Sequence, residues 1–279
     1  MAKGHKAVSS GASGSSGASS SKTNARAAVA TSPTTTTAQP QTAAAAQATQ
    51  TQTAPQTQAA KAATQQTADA AFLAKIPKGW NNATSTQHDD RLYYTDAKKS
   101  YIQQQLNVSE ATAAAMENGI SSYSGSQYTD IRLAATNQFA KKYPTVSQDY
   151  VDTLNKKVAA IEDYISKSPK FNGTTYRGIN VSKTSLQSYI KSANAGKTID
   201  MKGMSSWSSS EGTAQAFSNG SKGNKVVFVC SMGQPRGTSI TALSGYNESE
   251  VLCSKSAKWK MTGYKGAKNG IHYFEVEAV

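Results

Sequence analysis

Two periods of hydrophobic residues divide this chain. Between Asp89 and Ser168, large apolar side chains recur at three- and four-residue intervals, the spacing of one helix face. Leu92, Tyr93, Ala97, Tyr101 and Ile102 predict a helix from Asp89 to Leu106. Ser109-Glu110 opens a second, through Ala111, Ala115 and Met116 to Gly119. A third is expected from Ser126 or Thr129, with Ile131, Leu133, Phe139 and Tyr143 inside, ending before Pro144. Ser147 begins a fourth, carrying Tyr150, Val151, Leu154, Val158, Ile161, Tyr164 and Ile165.

Near Pro169 the pattern changes to short β-rich runs. Thr174–Ile179, Met201–Ser208, Lys225–Cys230, Ser239–Leu243, Glu250–Cys253, Trp259–Tyr264 and Ile271–Val279 read as strands. A helix from Lys183 to Ala193 and one or two turns from Glu211 to Phe217 interrupt them. Helices first and strands after predict an α+β fold: a helical part, residues 71–168, packed on a mixed β-sandwich core, residues 169–279. The sheet is expected to fold on itself.

Ahead of both lies a stretch with almost no large apolar side chains. Residues 1–70 are mostly Ala, Thr, Ser, Gln and Gly, a composition that cannot bury enough surface to offset chain entropy. They are expected to form a disordered tail, and Ala70–Pro77 to be the first packing element. About 210 residues remain, ample for one domain.

Net charge is +13, of which Lys3, Lys6, Lys22, Arg26 and Lys61 against Asp69 give the tail +4. The remaining +9 fits an acidic partner, whether nucleic acid, protein face or phosphate ligand, or plain solubility. Cys230 and Cys253, both in expected strands, fit a reducing compartment better than a disulfide framework. No apolar run approaches 18 residues, so no membrane span is expected. Nor does the N-terminus carry the apolar core of a secretory signal, which points to a route such as injection if the protein leaves its cell. The scattered His5, His88 and His272 argue against a metal site.

Three features of the strand-rich half carry candidate chemistry. Arg177, in Tyr176-Arg177-Gly178, offers a rigid fork to phosphate oxygens where glycine lets a ligand near the backbone; strand-end arginines are also ordinary surface residues. Ser205-Ser206-Trp207-Ser208-Ser209-Ser210-Glu211 follows, with Ala214 and Phe217 behind it. Its hydroxyls cap a helix or orient a ligand, and spacing alone favours core packing for Phe217. The third is Glu248 and Glu250 after Ser244-Gly245-Tyr246-Asn247. On a strand they share one face, roughly 7 Å apart, where repulsion raises at least one pKa unless a cation is held near them. The pair is either a solvated strand end or an arrangement for stabilising a cation and moving a proton.

In this order and spacing, the three features resemble the mono-ADP-ribosyltransferases of the Arg-Ser-Glu type, the group of clostridial binary-toxin enzymes and phage-encoded transferases. The resemblance spans residues 110–279 and includes Ile120–Ile131, similar to the family's Tyr-Thr-Gly-type segment. It implies NAD as substrate, no metal, and a target protein with an accessible arginine as partner. Nucleic acid is a secondary partner; a membrane is not expected, and the protein is expected to be a monomer acting in a host or target-cell cytoplasm. Arg177 would hold the NAD phosphates and the Gly178 backbone the nicotinamide amide. Ser206, Trp207 and Ser208 would occupy the Ser-Thr-Ser positions, with Trp207 a departure and Ser205 an alternative register. Phe217 would pack on nicotinamide, and Tyr246 and Glu248 would recognise the acceptor. A Glu at that first position resembles the arginine-modifying branch.

The chemistry suits these residues. Cleaving nicotinamide from ribose builds an oxocarbenium-like cation, as in glycoside hydrolysis. Glu250 would stabilise that cation, Ser206 would orient Glu250, and Glu248 would take the acceptor's proton. Transfer to nucleic acid, NAD hydrolysis, and a virion component with a decayed transferase domain are the other readings of the same chain.

Overall fold

A computed structural model describes residues 53–74, 88–220, 222–231, 237–246 and 248–279. Six helices come first: α1 (Thr53–Leu73), α2 (His88–Leu106), α3 (Glu110–Tyr123), α4 (Tyr128–Ala135), α5 (Phe139–Lys142) and α6 (Gln148–Lys167). Serine hydroxyls start two of them as the sequence predicts, Ser109 accepting from the Thr112 N–H (3.2 Å) and Ser147 from that of Tyr150 (3.4 Å). Helices α3 and α6 cross at Gly119, where a Cβ would stand 3.1 Å from the Lys157 carbonyl oxygen. The apolar stripes of α2, α3, α4 and α6 meet in one core that holds Ile102, Met116, Ile120, Ile131, Leu154 and Ile161.

The second half alternates strands with two helices: β1 (Thr175–Val181), α7 (Lys183–Asn194), β2 (Thr198–Asp200), β3 (Ser205–Ser208), α8 (Glu211–Ser218), β4 (Asn224–Cys230), β5 (Gly237–Ser239), β6 (Glu250–Cys253), β7 (Lys258–Lys268) and β8 (Ile271–Ala278). They form one eight-stranded sheet, order β2-β7-β8-β4-β1-β3-β6-β5, antiparallel except for β4 with β8. The sheet folds over as expected. Strands β3 and β7 are four positions apart, roughly 19 Å in a flat sheet, yet the Trp207 and Trp259 rings lie 4.3 Å apart. The fold encloses a second core of Trp207, Phe228, Val251, Trp259, Met261 and Phe274.

Three expectations need correction. The tail was expected to run to residue 70, but α1 covers Thr53–Leu73 and docks Ala62, Gln65 and Asp69 into the interior. Its alanines favour helix intrinsically, and the Tyr101 phenol gives its polar side chains a partner. Residues 1–52 and 75–87 lie outside the described residues. The expected third helix is two, α4 and α5, because Asn137 adopts φ +56°. Its N–H bonds the Ala134 carbonyl and that of Gln138 the Leu133 carbonyl, a Schellman stop with Asn in the left-handed position. Tyr143, expected inside, is exposed. Finally, Ser239–Leu243 is not a strand: β5 ends at Ser239, and β2 appears where no strand was expected.

Candidate active site

Strands β1 and β3 share one register pair, Tyr176 with Ser208, and separate beyond it. A cavity of about 520 Å³ fills the opening, with α3 and α4 along its side. Its wall includes Arg177, Gly178, Ser206, Ser208, Phe217, Tyr246, Glu248 and Glu250. Every candidate site residue of the sequence thus borders one cavity.

At its centre is Glu250, the first residue of β6 and 5% exposed. Ser206 and Ser244 hydrogen-bond its carboxyl, yet burial pushes it up to about 7. Ser206 is held in turn by the Tyr123 phenol, 3.1 Å from its Oγ. Tyr123 is fully buried, and the cost of burying a charge raises its pKa as well. Ser205 turns away from the cavity, accepting from the Trp207 indole N–H (3.2 Å), while Ser206 borders it. Ser208 donates to the Glu248 carbonyl (2.6 Å) and accepts from the Ser210 N–H (3.0 Å), fixing the turn that delivers Glu248.

The strand-alternation argument for the two glutamates fails locally. Glu248 precedes β6, and Ser249 between them has φ +49°, so the two reach the cavity by a kink rather than by a shared face. Burial raises the Glu248 carboxyl too.

Arg177 donates from Nη1 to the Ser206 carbonyl (2.5 Å), which aims the guanidinium across the opening. Its Nε is buried without a partner among the described residues, a donor suited to an anionic oxygen. Gly178 borders the cavity and meets a packing demand that the sequence did not show. A Cβ there would stand 1.6 Å from the Ala214 carbonyl oxygen, so the glycine lets α8 lie on β1. Phe217 does not pack in the core; it is 58% exposed at the cavity mouth, as is Tyr246 at 51%.

Sequence reasoning missed the helical wall: Tyr123, Tyr128 and Arg132, together with Asn180 on β1. Arg132 donates to Tyr128 Oη (3.3 Å) and to the Met201 and Lys202 carbonyls (3.2 and 3.1 Å), bracing the approach to β3. The Ile120–Ile131 stretch was the available signal, but its tyrosines have the spacing of ordinary core residues.

No family model and no curated protein matches the sequence. Solved structures do match in fold. The Vis toxin, an ADP-ribosyltransferase from Vibrio splendidus, superposes with TM-score 0.51 at 20% identity, over 73% of this chain and 91% of that one. The ADP-ribosyltransferase HopU1 of Pseudomonas syringae pv. tomato gives TM-score 0.51 at 14% identity, over 66% and 87%. The chain has the mono-ADP-ribosyltransferase fold, as the resemblance implied.

Proposed function

We propose that this chain transfers ADP-ribose from NAD to arginine side chains of a target protein. The observation that carries the reading is the enclosed Glu250, tied to Ser206 and Ser244 in the same cavity as the unpartnered Arg177 Nε. NAD supplies a ribose–pyridinium bond whose cleavage leaves nicotinamide and a cationic ribose. Arg177 holds the diphosphate, and its fixed fork sets the cofactor's position. The Gly178 backbone and the Phe217 ring hold nicotinamide, while Ser208 keeps the neighbouring turn in place. Ionised Glu250 stabilises positive charge on the ribose, with Ser206 orienting it.

A guanidinium is a poor nucleophile until it loses a proton. Glu248, at the mouth beside the exposed Tyr246, is the group that orients it and takes that proton, for about 10²–10⁴-fold in rate. The Vis toxin has been solved with agmatine, a small guanidinium compound, which supports a guanidinium acceptor on this fold. The shared fold with a toxin also supports a role as an effector in a target-cell cytoplasm.

The test is label transfer from adenylate-labelled NAD into lysate protein. Wild type should give bands released by neutral hydroxylamine. Glu250→Ala should lose both transfer and NAD hydrolysis, while Glu248→Ala should keep hydrolysis and lose transfer. Equal loss of both activities in Glu248→Ala would contradict this division of roles. Label in nucleic acid would replace the acceptor, and the absence of any NAD turnover would leave a non-enzymatic component.

A further inference from the structure

Charge is divided unevenly between the two halves of the domain. Residues 88–168 hold nine basic and ten acidic side chains, residues 169–279 fourteen and six. Strand register shows where part of the surplus lies. Asn180 on β1, Lys225 on β4, Ile271 on β8 and Lys268 on β7 form one row across four adjacent strands. Paired residues share a face, and Ile271 packs with Ala214 of α8, so the row lies on the α8 face. Asn180 belongs to the cavity wall. Along the row, Lys225 is about 5 Å and Lys268 about 14 Å from it, backbone to backbone.

Two more lysines join this end of the sheet. Lys222 precedes Gly223, whose missing Cβ would stand 2.4 Å from Asn180 Oδ1, so the turn is pressed onto the end of β1. Lys183 opens α7 just past that end. Segments 180–184, 219–225 and 264–272 contain no acidic residue. On the same hairpin, Lys258, Lys260 and Lys265 are neutralised by Asp200, Glu277 and Glu275. Lys183, Lys222, Lys225 and Lys268 form no ion pair among the described residues, although Lys268 lines a groove with Glu211 and Glu275. Like charges gathered this way repel and cost stability. A partner of opposite sign relieves that cost.

We propose that this lysine cluster docks the acceptor protein, through an acidic surface flanking the arginine to be modified. The inference rests on the arginine-transferase reading above. The two charge patterns then complement each other: the acceptor guanidinium enters toward Glu248, and its acidic surroundings meet lysines that begin one strand from the cavity wall. A nucleic acid fits less well. Glu248 at the cavity, which meets the acceptor's guanidinium in the arginine-transferase reading, would repel a phosphate chain lying across the same opening.

The experiment uses the full chain and two peptides, each with one arginine, flanked in one by glutamates and in the other by glutamines. Wild type should favour the acidic peptide about tenfold in kcat/KM at low ionic strength, and salt should erase the difference. The triple variant Lys222→Glu/Lys225→Glu/Lys268→Glu should lose or invert that preference. Its agmatine transfer and NAD hydrolysis should stay at the wild-type level. The Gln triple variant, a milder change for the half-buried Lys225, should lose the preference without inverting it. Equal use of both peptides by wild type, a preference that survives both variants, or agmatine transfer that falls with it would overturn the proposal. So would inhibition by an oligonucleotide that exceeds inhibition by polyglutamate. Wild type that turns over no NAD, yet binds the fluorescent acidic peptide through these lysines, would refute the enzymatic reading and spare the surface.

Discussion

In the proposed reaction Glu250 stabilises a cation and must be ionised to do so, yet burial pushes its carboxyl up to about 7. The kcat/KM for NAD hydrolysis should therefore rise with pH through about 7, a limb that a pH–rate profile reads directly. Ser206→Ala removes a hydrogen bond that favours the charged form, so the limb should move to higher pH. An unmoved limb would mean another group sets it. Stability should run the opposite way. A carboxyl raised from 4.5 to about 7 binds its proton more tightly folded than unfolded, so folding weakens as pH rises across that window. Glu250→Gln should flatten the loss, by about 3 kcal/mol at most, in urea titrations at both ends of the window. At this scale the sequence exposed what chemistry makes rare: an arginine before glycine, serines on a strand, two glutamates one residue apart. Tyr123 stayed hidden because a buried tyrosine on a helix stripe looks like any core aromatic until Ser206 is seen beside it. The kink at Ser249 was equally silent, since serine has no special preference for positive φ.

Helix α8 and strand β1 illustrate how an element's position depends on one missing atom. Gly178→Ala would force a methyl group into the Ala214 carbonyl, lift α8, and carry Phe217 away from the cavity. The variant should lose about 3 kcal/mol of stability, read by urea unfolding. It should also lose NAD affinity, read by protection from thermal unfolding. Helix α1 depends on a buried polar contact instead. Asp69 accepts from Gln65 Nε2 (2.7 Å) and from the Tyr101 phenol, with a further bond to Ser239 on β5, and burial raises its pKa. The docked form therefore holds its proton more tightly than the free chain does. Docking should weaken as pH rises above the ordinary carboxyl value of 3.8, and Asp69→Asn should remove that dependence. Hydrogen exchange over residues 60–73 at several pH values measures it; an identical pH response in Asp69→Asn would refute the role. Element types were legible wherever a period ran for several turns. Capping serines fixed the starts of α3 and α6, whereas the ends of α4 and β5 depended on tertiary contacts or a single left-handed residue.

Across the whole molecule, strand β6 joins two interiors. Leu252 points into the helical core with Met116, Ile120 and Ile161, while Val251 and Cys253 point into the folded sheet with Trp207 and Trp259. Alternation over four residues thus connects the halves that the sequence distinguished only by period. Nothing in that alternation showed which strands neighbour β6, because β3 and β5 reach it through non-local pairing. The sheet's fold was likewise a consequence of packing, visible only when two tryptophans from distant strands meet. Shared packing at β6 implies shared melting. Leu252→Ala leaves a hole in the helical core and should cost about 3 kcal/mol. The destabilisation should appear equally in far-ultraviolet helix signal and in the fluorescence of Trp207 and Trp259, measured in a Trp80→Phe background that removes the chain's third tryptophan. Two separate transitions, with only the helix signal shifted, would show that the halves unfold independently. The cavity between them would then be held by β6 alone, and Glu250, at the strand's first position, would lose its fixed surroundings before the sheet melts.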